Sequence, residues 1–298
     1  MIVLEEDDEM VDIAVFLTCF NRKNKTLRCL EQLHSQKCSY TIHLSYYVCD
    51  DGSTDGTAGE IREKYPDVNI IRGSGNLFWA RGMAAALDAA KGAKNDFYLM
   101  ANDDVDFFDD AIEILLDSYY QKKDEMCSIV GSTKDAQTHQ HTYGGLMWNG
   151  KAHPEIAVPV YPNADCPECN QTNWNCFLVP VKVYEEVGEI DRTYEHSKAD
   201  FDYSNRICQK GLKIYVARDY IGTCSRNSTK NTWRDVDLPL RKRLILLHRP
   251  NGSPWRSRWH YCKSYYGGWA VYKFLLPYAH IVSSSIKRRI SGRRGSKS

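Results

Sequence analysis

Asp96-Phe97-Tyr98-Leu99-Met100-Ala101-Asn102-Asp103-Asp104-Val105 is the stretch on which the reading of this chain turns. An apolar run, residues 97–100, stops abruptly at three polar side chains. The run reads as a buried strand of a parallel sheet, with Asn102, Asp103 and Asp104 just past its carboxyl end. Ligands bind at that edge of an open α/β sheet. Two adjacent carboxylates there can hold a divalent cation, and the cation can hold a diphosphate. Taken alone, the same three residues also fit a solvated polar turn, so the decision rests on the rest of the chain.

Working outward, residues 11–18 read as a first buried strand and residues 24–33 as a helix through Leu27, Leu30 and Leu33. Residues 43–49 make a second strand and 57–64 a helix. Residues 68–72 make a third strand, followed by an Ala-rich helix over 76–91 closed by Gly92. After the strand that ends at Asp103 come a helix over 109–122 and a short strand over 127–130. This rhythm predicts a doubly wound, mainly parallel sheet flanked by helices. Between 131 and 180 it breaks: Gly144-Gly145, Asn149-Gly150, Pro154, Pro159, Pro162 and Pro167 predict irregular strands and loops laid over the first half. Order resumes with a helix over 181–187, an ordered stretch over 194–210 and a strand over 212–217. Residues 238–298 read as a helical tail. The predicted division is a core domain over 1–237, with a donor half at about 11–131 and an acceptor half at about 132–237, followed by that tail.

Each early strand delivers polar or glycine-rich residues to one sheet edge. The first ends in Thr18-Cys19-Phe20-Asn21-Arg22, groups that meet a base or phosphate or merely cap a helix. The second ends in Asp50-Asp51-Gly52-Ser53-Thr54-Asp55-Gly56-Thr57. There the acceptor-only carboxylate of Asp51 is placed to take a pyrimidine N–H, and Asp55 is a candidate helix cap. The third ends in Gly73-Ser74-Gly75-Asn76, and the helix that follows carries Trp79, read as packing, and Arg81. Arg81 is either a partner for a diphosphate oxygen or a surface arginine. Downstream lies His196-Ser197-Lys198-Ala199-Asp200-Phe201-Asp202-Tyr203. Asp200 and Asp202 share a face if the strip is extended and diverge if it is helical. One carboxylate beside a metal-bound diphosphate can deprotonate an attacking hydroxyl.

The ordered set resembles the family 2 glycosyltransferases of the GT-A fold, over about residues 12–225. It comprises Thr18-Cys19-Phe20-Asn21-Arg22, Asp50 through Thr57, Gly75-Asn76, Asn102-Asp103-Asp104 and Asp200-Phe201-Asp202. Gly75-Asn76-Leu77-Phe78-Trp79, Ile129-Val130-Gly131 and Tyr143-Gly144-Gly145 are similar to its rhamnosyltransferase-like bacterial branch. The resemblance implies inverting transfer of a sugar from a dTDP- or UDP-sugar, dTDP-rhamnose among them, to a hydroxyl of a lipid-linked glycan in surface polysaccharide synthesis. It implies donor contacts from Thr18, Asn21, Arg22, Asp51, Asn76, Arg81 and Asp103, and Mg²⁺ or Mn²⁺ held by Asp104 with Asp103. It makes Asp200 the general base and puts Gly144, Gly145, Trp174, Asn175 and Asp202 near the donor sugar or acceptor. Two positions depart from the pattern: Ala199 stands where an acidic residue is usual, and Gly222-Thr223-Cys224-Ser225-Arg226 lacks the histidine that many relatives offer the metal. The other enzyme class with a related sheet, a sugar-nucleotide pyrophosphorylase, needs a glycine-rich basic loop after the first strand, which this chain lacks. A sugar-nucleotide-binding module without catalysis is the third reading.

The 298 residues are 43% hydrophobic and 26% charged, the composition of a folded domain rather than a disordered chain. Residues 5–9 are all acidic, and no basic-then-apolar signal appears at the start, so a cytoplasmic protein is expected. Eleven scattered cysteines predict reduced thiols; Cys166-Pro167-Glu168-Cys169 is at most half a zinc site, with no second pair. Net charge is only +1, yet no acidic residue follows Asp237, while Arg241, Lys242, Arg243, Arg249, Lys287, Arg288, Arg289, Arg293, Arg294 and Lys297 do. That asymmetry calls for an anionic partner: lipid, nucleic acid or a polyanionic substrate. Residues 269–286 are too short and interrupted for a spanning helix of about twenty apolar residues. Their aromatic and apolar residues, followed by a basic cluster, fit either an anchor at the face of an anionic membrane or a helix packed on the domain. No groove-reading motif supports nucleic acid.

Overall fold

A computed structural model describes residues 10–150 and 156–295, with side chains as far as residue 288. Residues 5–9, Pro154 and Lys297 lie outside the described residues, as do the side chains of Arg289, Arg293 and Arg294. The first half alternates as the sequence predicts. It runs β1 (Val11–Cys19), α1 (Lys23–His34), β2 (Ile42–Asp50), α2 (Thr57–Lys64), β3 (Asn69–Arg72), α3 (Phe78–Ala89) and β4 (Phe97–Ala101). Then come β5 (Asp106–Phe107), α4 (Ala111–Lys122), β6 (Cys127–Lys134) and the short strands β7 (His141–Tyr143), β8 (Gly145–Trp148), β9 (Ala157–Pro159), β10 (Glu168–Cys169) and β11 (Gln171–Thr172). The chain continues through β12 (Cys176–Pro180), α5 (Val181–Val187), α6 (Ala199–Gln209) and β13 (Lys213–Thr223). It closes with the helices α7 (Leu240–Leu247), α8 (Trp255–Tyr266) and α9 (Ala270–Gly295).

The main sheet has the order β10-β13-β6-β12-β4-β1-β2-β3. β3, β2, β1 and β4 are mutually parallel. Because β2 leaves β1 on one side and β4 joins it on the other, the strand order reverses between β1 and β4, the place where such sheets leave a ligand crevice. Register fixes what meets there. Cys19 lies opposite Asp50 and Asp50 opposite Arg72, while Phe16 lies opposite Met100. The strand ends therefore come level, with Arg22 beside Asp103. Strict alternation along β1 sends Ala14 and Phe16 into one core, shared with Met83, Met100 and Phe177. Ile13, Val15 and Leu17 enter the other, with Leu30, Leu99 and Leu115.

β12 corrects one part of the reading of 131–180 as irregular strands and loops laid over the first half. It is a fully buried strand in mid-sheet, antiparallel to both β4 and β6. The short strands β8, β9 and β11 form a separate small sheet. The tail is helical as expected. Pro277 lies inside α9, where a proline takes away the hydrogen bond that the carbonyl four residues earlier would accept. That carbonyl, of Lys273, instead accepts from the guanidinium of Arg258 on α8, which also donates to the Phe274 carbonyl at 2.9 Å.

Candidate active site

At the β1/β4 switch point the Arg22 guanidinium bridges both carboxylates of the stretch that opened the sequence reading. Nη1 donates to Asp103 Oδ1 at 2.6 Å and Nη2 to Asp104 Oδ2 at 2.7 Å. Asp103 is 2% exposed, and its second oxygen accepts from the Thr26 hydroxyl on α1 at 2.9 Å. Burial raises the Asp103 carboxyl to about 6, against the pull of Arg22. Asp104 is the more open of the two, its side chain 15% exposed.

Asp51 does not wait for a base. Its Oδ1 accepts the N–H of Gly75 at 2.8 Å, and its Oδ2 accepts those of Leu77 and Phe78, each at 2.9 Å. The buried carboxylate thus orders the β3–α3 turn, with one lone-pair direction left on Oδ1. Asn21 is likewise engaged by protein: its side-chain oxygen accepts from the backbone and hydroxyl of Thr54, clasping the first two strand-end loops together. Thr18 packs against Gly82 of α3, where an added Cβ would lie 2.4 Å from the Thr18 hydroxyl. Asn76 is exposed on the β3–α3 turn. Arg81 is also engaged by protein: its guanidinium donates to the Arg192 carbonyl at 3.1 Å and pairs with Glu195 at 3.5 Å, fastening the 189–196 loop to α3.

Trp79 links the parts. Its indole N–H donates to Asn102 Oδ1 at 2.8 Å, and its ring lies edge-on to those of Trp174 and His196. Asn102 in turn donates its backbone N–H to the Asn175 carbonyl at 3.1 Å. Two residues back, the Asn173 side chain lies beside Asp200 at the start of α6. Asp51 and the β4 carboxylates are therefore linked through α3, Trp79 and Asn102, and the 173–175 strip runs from Asn102 to the side of Asp200. Burial raises the Asp200 carboxyl to about 6, while the hydrogen bond from the Phe201 N–H, the Lys198 charge and the nearby Asn173 side chain favour its charged form. His196 lies near Arg22. Its burial, and then that charge, hold its imidazole below the ordinary range.

The five residues expected near the sugar or acceptor are all taken up by packing or hydrogen bonds within the protein. The 200–202 strip is helical, so Asp202 points away from Asp200; it is buried and accepts from Tyr194, Tyr265 and Arg206. Gly144 and Gly145 are buried packing positions, where a Cβ would lie 2.4 Å from Ser132 Oγ and 2.5 Å from Val216 Cγ2. Trp174 is 1% exposed and packs on Phe177 and Tyr203 behind Trp79. Asn175 lies at the edge of the site but is buried, its amide on the Cys224 sulfur. Ala199 faces the core. The sequence reading gave no role to Asn173 or His196; both lie within a few residues of motifs it quoted.

The family model for Glycosyl transferase family 2 matches residues 14–166. The chain belongs to that family. It is 23% identical over 197 residues to an N-acetylglucosaminyl-diphospho-decaprenol L-rhamnosyltransferase of Mycobacterium tuberculosis, covering 58% of this chain and 64% of that one. It is 28% identical over 146 residues to a chondroitin synthase of Escherichia coli, covering 48% and 19%. With a hyaluronan synthase of Pasteurella multocida it shares 27% over 149 residues, covering 49% and 14%. The chain thus spans less than two thirds of the length of each. Its fold is GT-A: a crystal structure of GalNAc-T7 with UDP, GalNAc and Mn²⁺ superposes with a TM-score of 0.58 at 14% identity, over 74% of this chain and 44% of that one.

The donor set suits a cation that brings ligands of its own. Among the described residues no group of three or more His, Cys, Asp or Glu side chains can enclose a metal. The Cys224 thiol, raised to about 12 by burial and then by Asp104, stays protonated, and Ser225 is turned to Asp135. That leaves Asp104, with Asp103 behind it. Mg²⁺ is commonly held by one or two carboxylates, with substrate phosphates and water completing its shell.

Proposed function

We propose that this glycosyltransferase moves a sugar, with inversion, from a dTDP- or UDP-sugar to a hydroxyl of a lipid-linked glycan at the cytoplasmic face of a membrane. The observation that carries the reading is the cluster at the switch point: Arg22, Asp103 and Asp104 on one side, Asp200 on the other, with Trp79 and the 173–175 strip between them. In this reading Asp104, backed by Asp103, holds Mg²⁺ or Mn²⁺, which when bound supplies positive charge to the departing diphosphate. Asp51 keeps the β3–α3 turn in shape and offers its remaining lone pair to the base. Asp200, ionised above about pH 6, accepts the proton of the acceptor hydroxyl. One in-line displacement inverts the anomeric carbon and needs one base, so a single carboxylate on that side suffices. The likeness to a rhamnosyltransferase supports dTDP-rhamnose as the first donor to test.

Two substitutions test this. Asp104→Ala is expected to abolish transfer from dTDP- and UDP-sugars while the protein melts as the wild type does. Asp200→Asn is expected to lower turnover by at least about a hundredfold, within the range that general-base catalysis contributes, and to leave donor affinity unchanged by calorimetry. Turnover near the wild-type rate in either variant refutes the role given to that residue.

A further inference from the structure

Arg22 occupies the place the reading above gives to a cation. One arm of its planar fork lies on each carboxylate, a geometry that a point-charge ammonium does not reproduce. The residue immediately precedes α1, and its backbone carbonyl is fixed by the N–H and hydroxyl of Thr26, yet its side chain is 39% exposed. Asp103 cannot move to meet a newcomer: its side chain is 1% exposed and held on both oxygens. Any rearrangement at the pair therefore falls to Arg22. A bare divalent ion approaching the pair meets a guanidinium already there and like in charge. A cation carrying a diphosphate brings phosphate oxygens that match the fork as well as the carboxylates do.

We infer that Arg22 is a built-in counter-ion of the Asp103–Asp104 pair. It keeps out a free divalent cation and yields only to one that arrives on a nucleoside diphosphate, to which the guanidinium then transfers. The inference rests on the cation-dependent reading above and adds an order to it: cation and nucleotide enter together. It also accounts for two carboxylates side by side in a chain with no third ligand among the described residues. The resting site is already neutralised, so Asp103 does not stand as an unpaired buried charge between turnovers.

The test is Mn²⁺ uptake by the full chain, read from the electron paramagnetic resonance signal of free Mn²⁺, alone and with UDP or dTDP. The wild type is expected to take up Mn²⁺ only when a nucleoside diphosphate is present. Arg22→Met should bind Mn²⁺ alone about tenfold tighter than the wild type or better, since two charge-assisted hydrogen bonds no longer compete. Arg22→Lys, which keeps the charge and loses the fork, should fall between and serves if the methionine variant does not fold. Adding Asp104→Asn to either variant should cancel the gain. Equal Mn²⁺ binding by wild type and Arg22 variants, with nucleotide still promoting uptake, overturns the counter-ion role and leaves the cation reading standing. If neither nucleotide promotes uptake by the wild type, the cation reading fails and this inference falls with it.

Discussion

Asp103 and Asp200 illustrate how one residue type is turned to two tasks by its surroundings. Both carboxyls are lifted to about 6 by burial. Asp103, however, is gripped by Arg22 and Thr26, whereas Asp200 accepts the Phe201 N–H and lies beside Asn173 in the first turn of a helix. An ordinary aspartate ionises near 4, so a lifted Asp200 is protonated over two further pH units and can act as a base only above about 6. We expect kcat/KM to fall about tenfold per pH unit below that point. The neighbouring Asn173 side chain favours the charged form. Asn173→Ala should therefore move this acidic limb upward, with a smaller change at pH 8. A limb that stays in place argues against Asp200 as the titrating base. None of this was legible in the sequence, which offered Asp200 as a carboxylate in the right strip but gave no sign of Asn173, whose contact depends on how β11 runs into β12. The Asp200/Asp202 ambiguity was legible as an ambiguity; the helix settles it by turning the two side chains about 200° apart.

At the scale of elements, the strands and helices of the first half announced themselves because each is uniformly apolar or clearly periodic, and their ends were marked by glycine, serine and aspartate. β12 did not. Five apolar residues, too short for a period and set between a mostly polar stretch over 170–175 and the helix after Pro180, do not stand out until β4 and β6 are seen to need a strand between them. The start of α3 is the other lesson. Its approach to β1 requires Gly82, and its first turn hangs on Asp51, whose two oxygens collect three backbone N–H groups. The sequence showed Asp51 as a ligand carboxylate because it sits in the right loop, but not that the neighbouring loop claims it first. Asp51→Ala should therefore cost stability as well as donor affinity, on the order of 3 kcal/mol for three charge-assisted bonds partly replaced by water. Chemical denaturation of the ligand-free protein checks this. A carboxylate that only read a base would leave the unfolding midpoint unmoved.

The whole molecule is electrically lopsided in a way its net charge of +1 conceals, since no acidic side chain follows Asp237. The helices that carry this charge are pinned to the GT-A domain and to each other. The Arg243 guanidinium of α7, fully buried, donates to the Ile281 carbonyl and to the hydroxyls of Ser284 and Ser285 on α9. One face of α9 is thereby packed through Ala270, Lys273 and Ile281. The other leaves Val271, Leu275, Val282 and Ile286 exposed at helical spacing, from 44% to 58% accessible, with Lys287 and Arg288 at the end of the stripe. The two sequence readings of the tail, packed helix and lipid-facing helix, are thus not exclusive, because they describe opposite faces. No helix among the described residues is long and apolar enough to cross a membrane. An apolar stripe beside acid-free basic chain instead suits a helix lying in the surface of an anionic bilayer. The chain should sediment with phosphatidylglycerol-containing vesicles, weakly or not at all with phosphatidylcholine alone, and less as salt is raised. Because each inserted side chain contributes about 1.5–3 kcal/mol, Leu275→Asp or Val282→Asp should weaken vesicle binding by at least about tenfold. Neither residue touches the switch point, so transfer to a soluble acceptor analogue should continue at the wild-type rate. Vesicle binding that survives both substitutions would mean that basic charge alone, not the stripe, holds the protein at the surface.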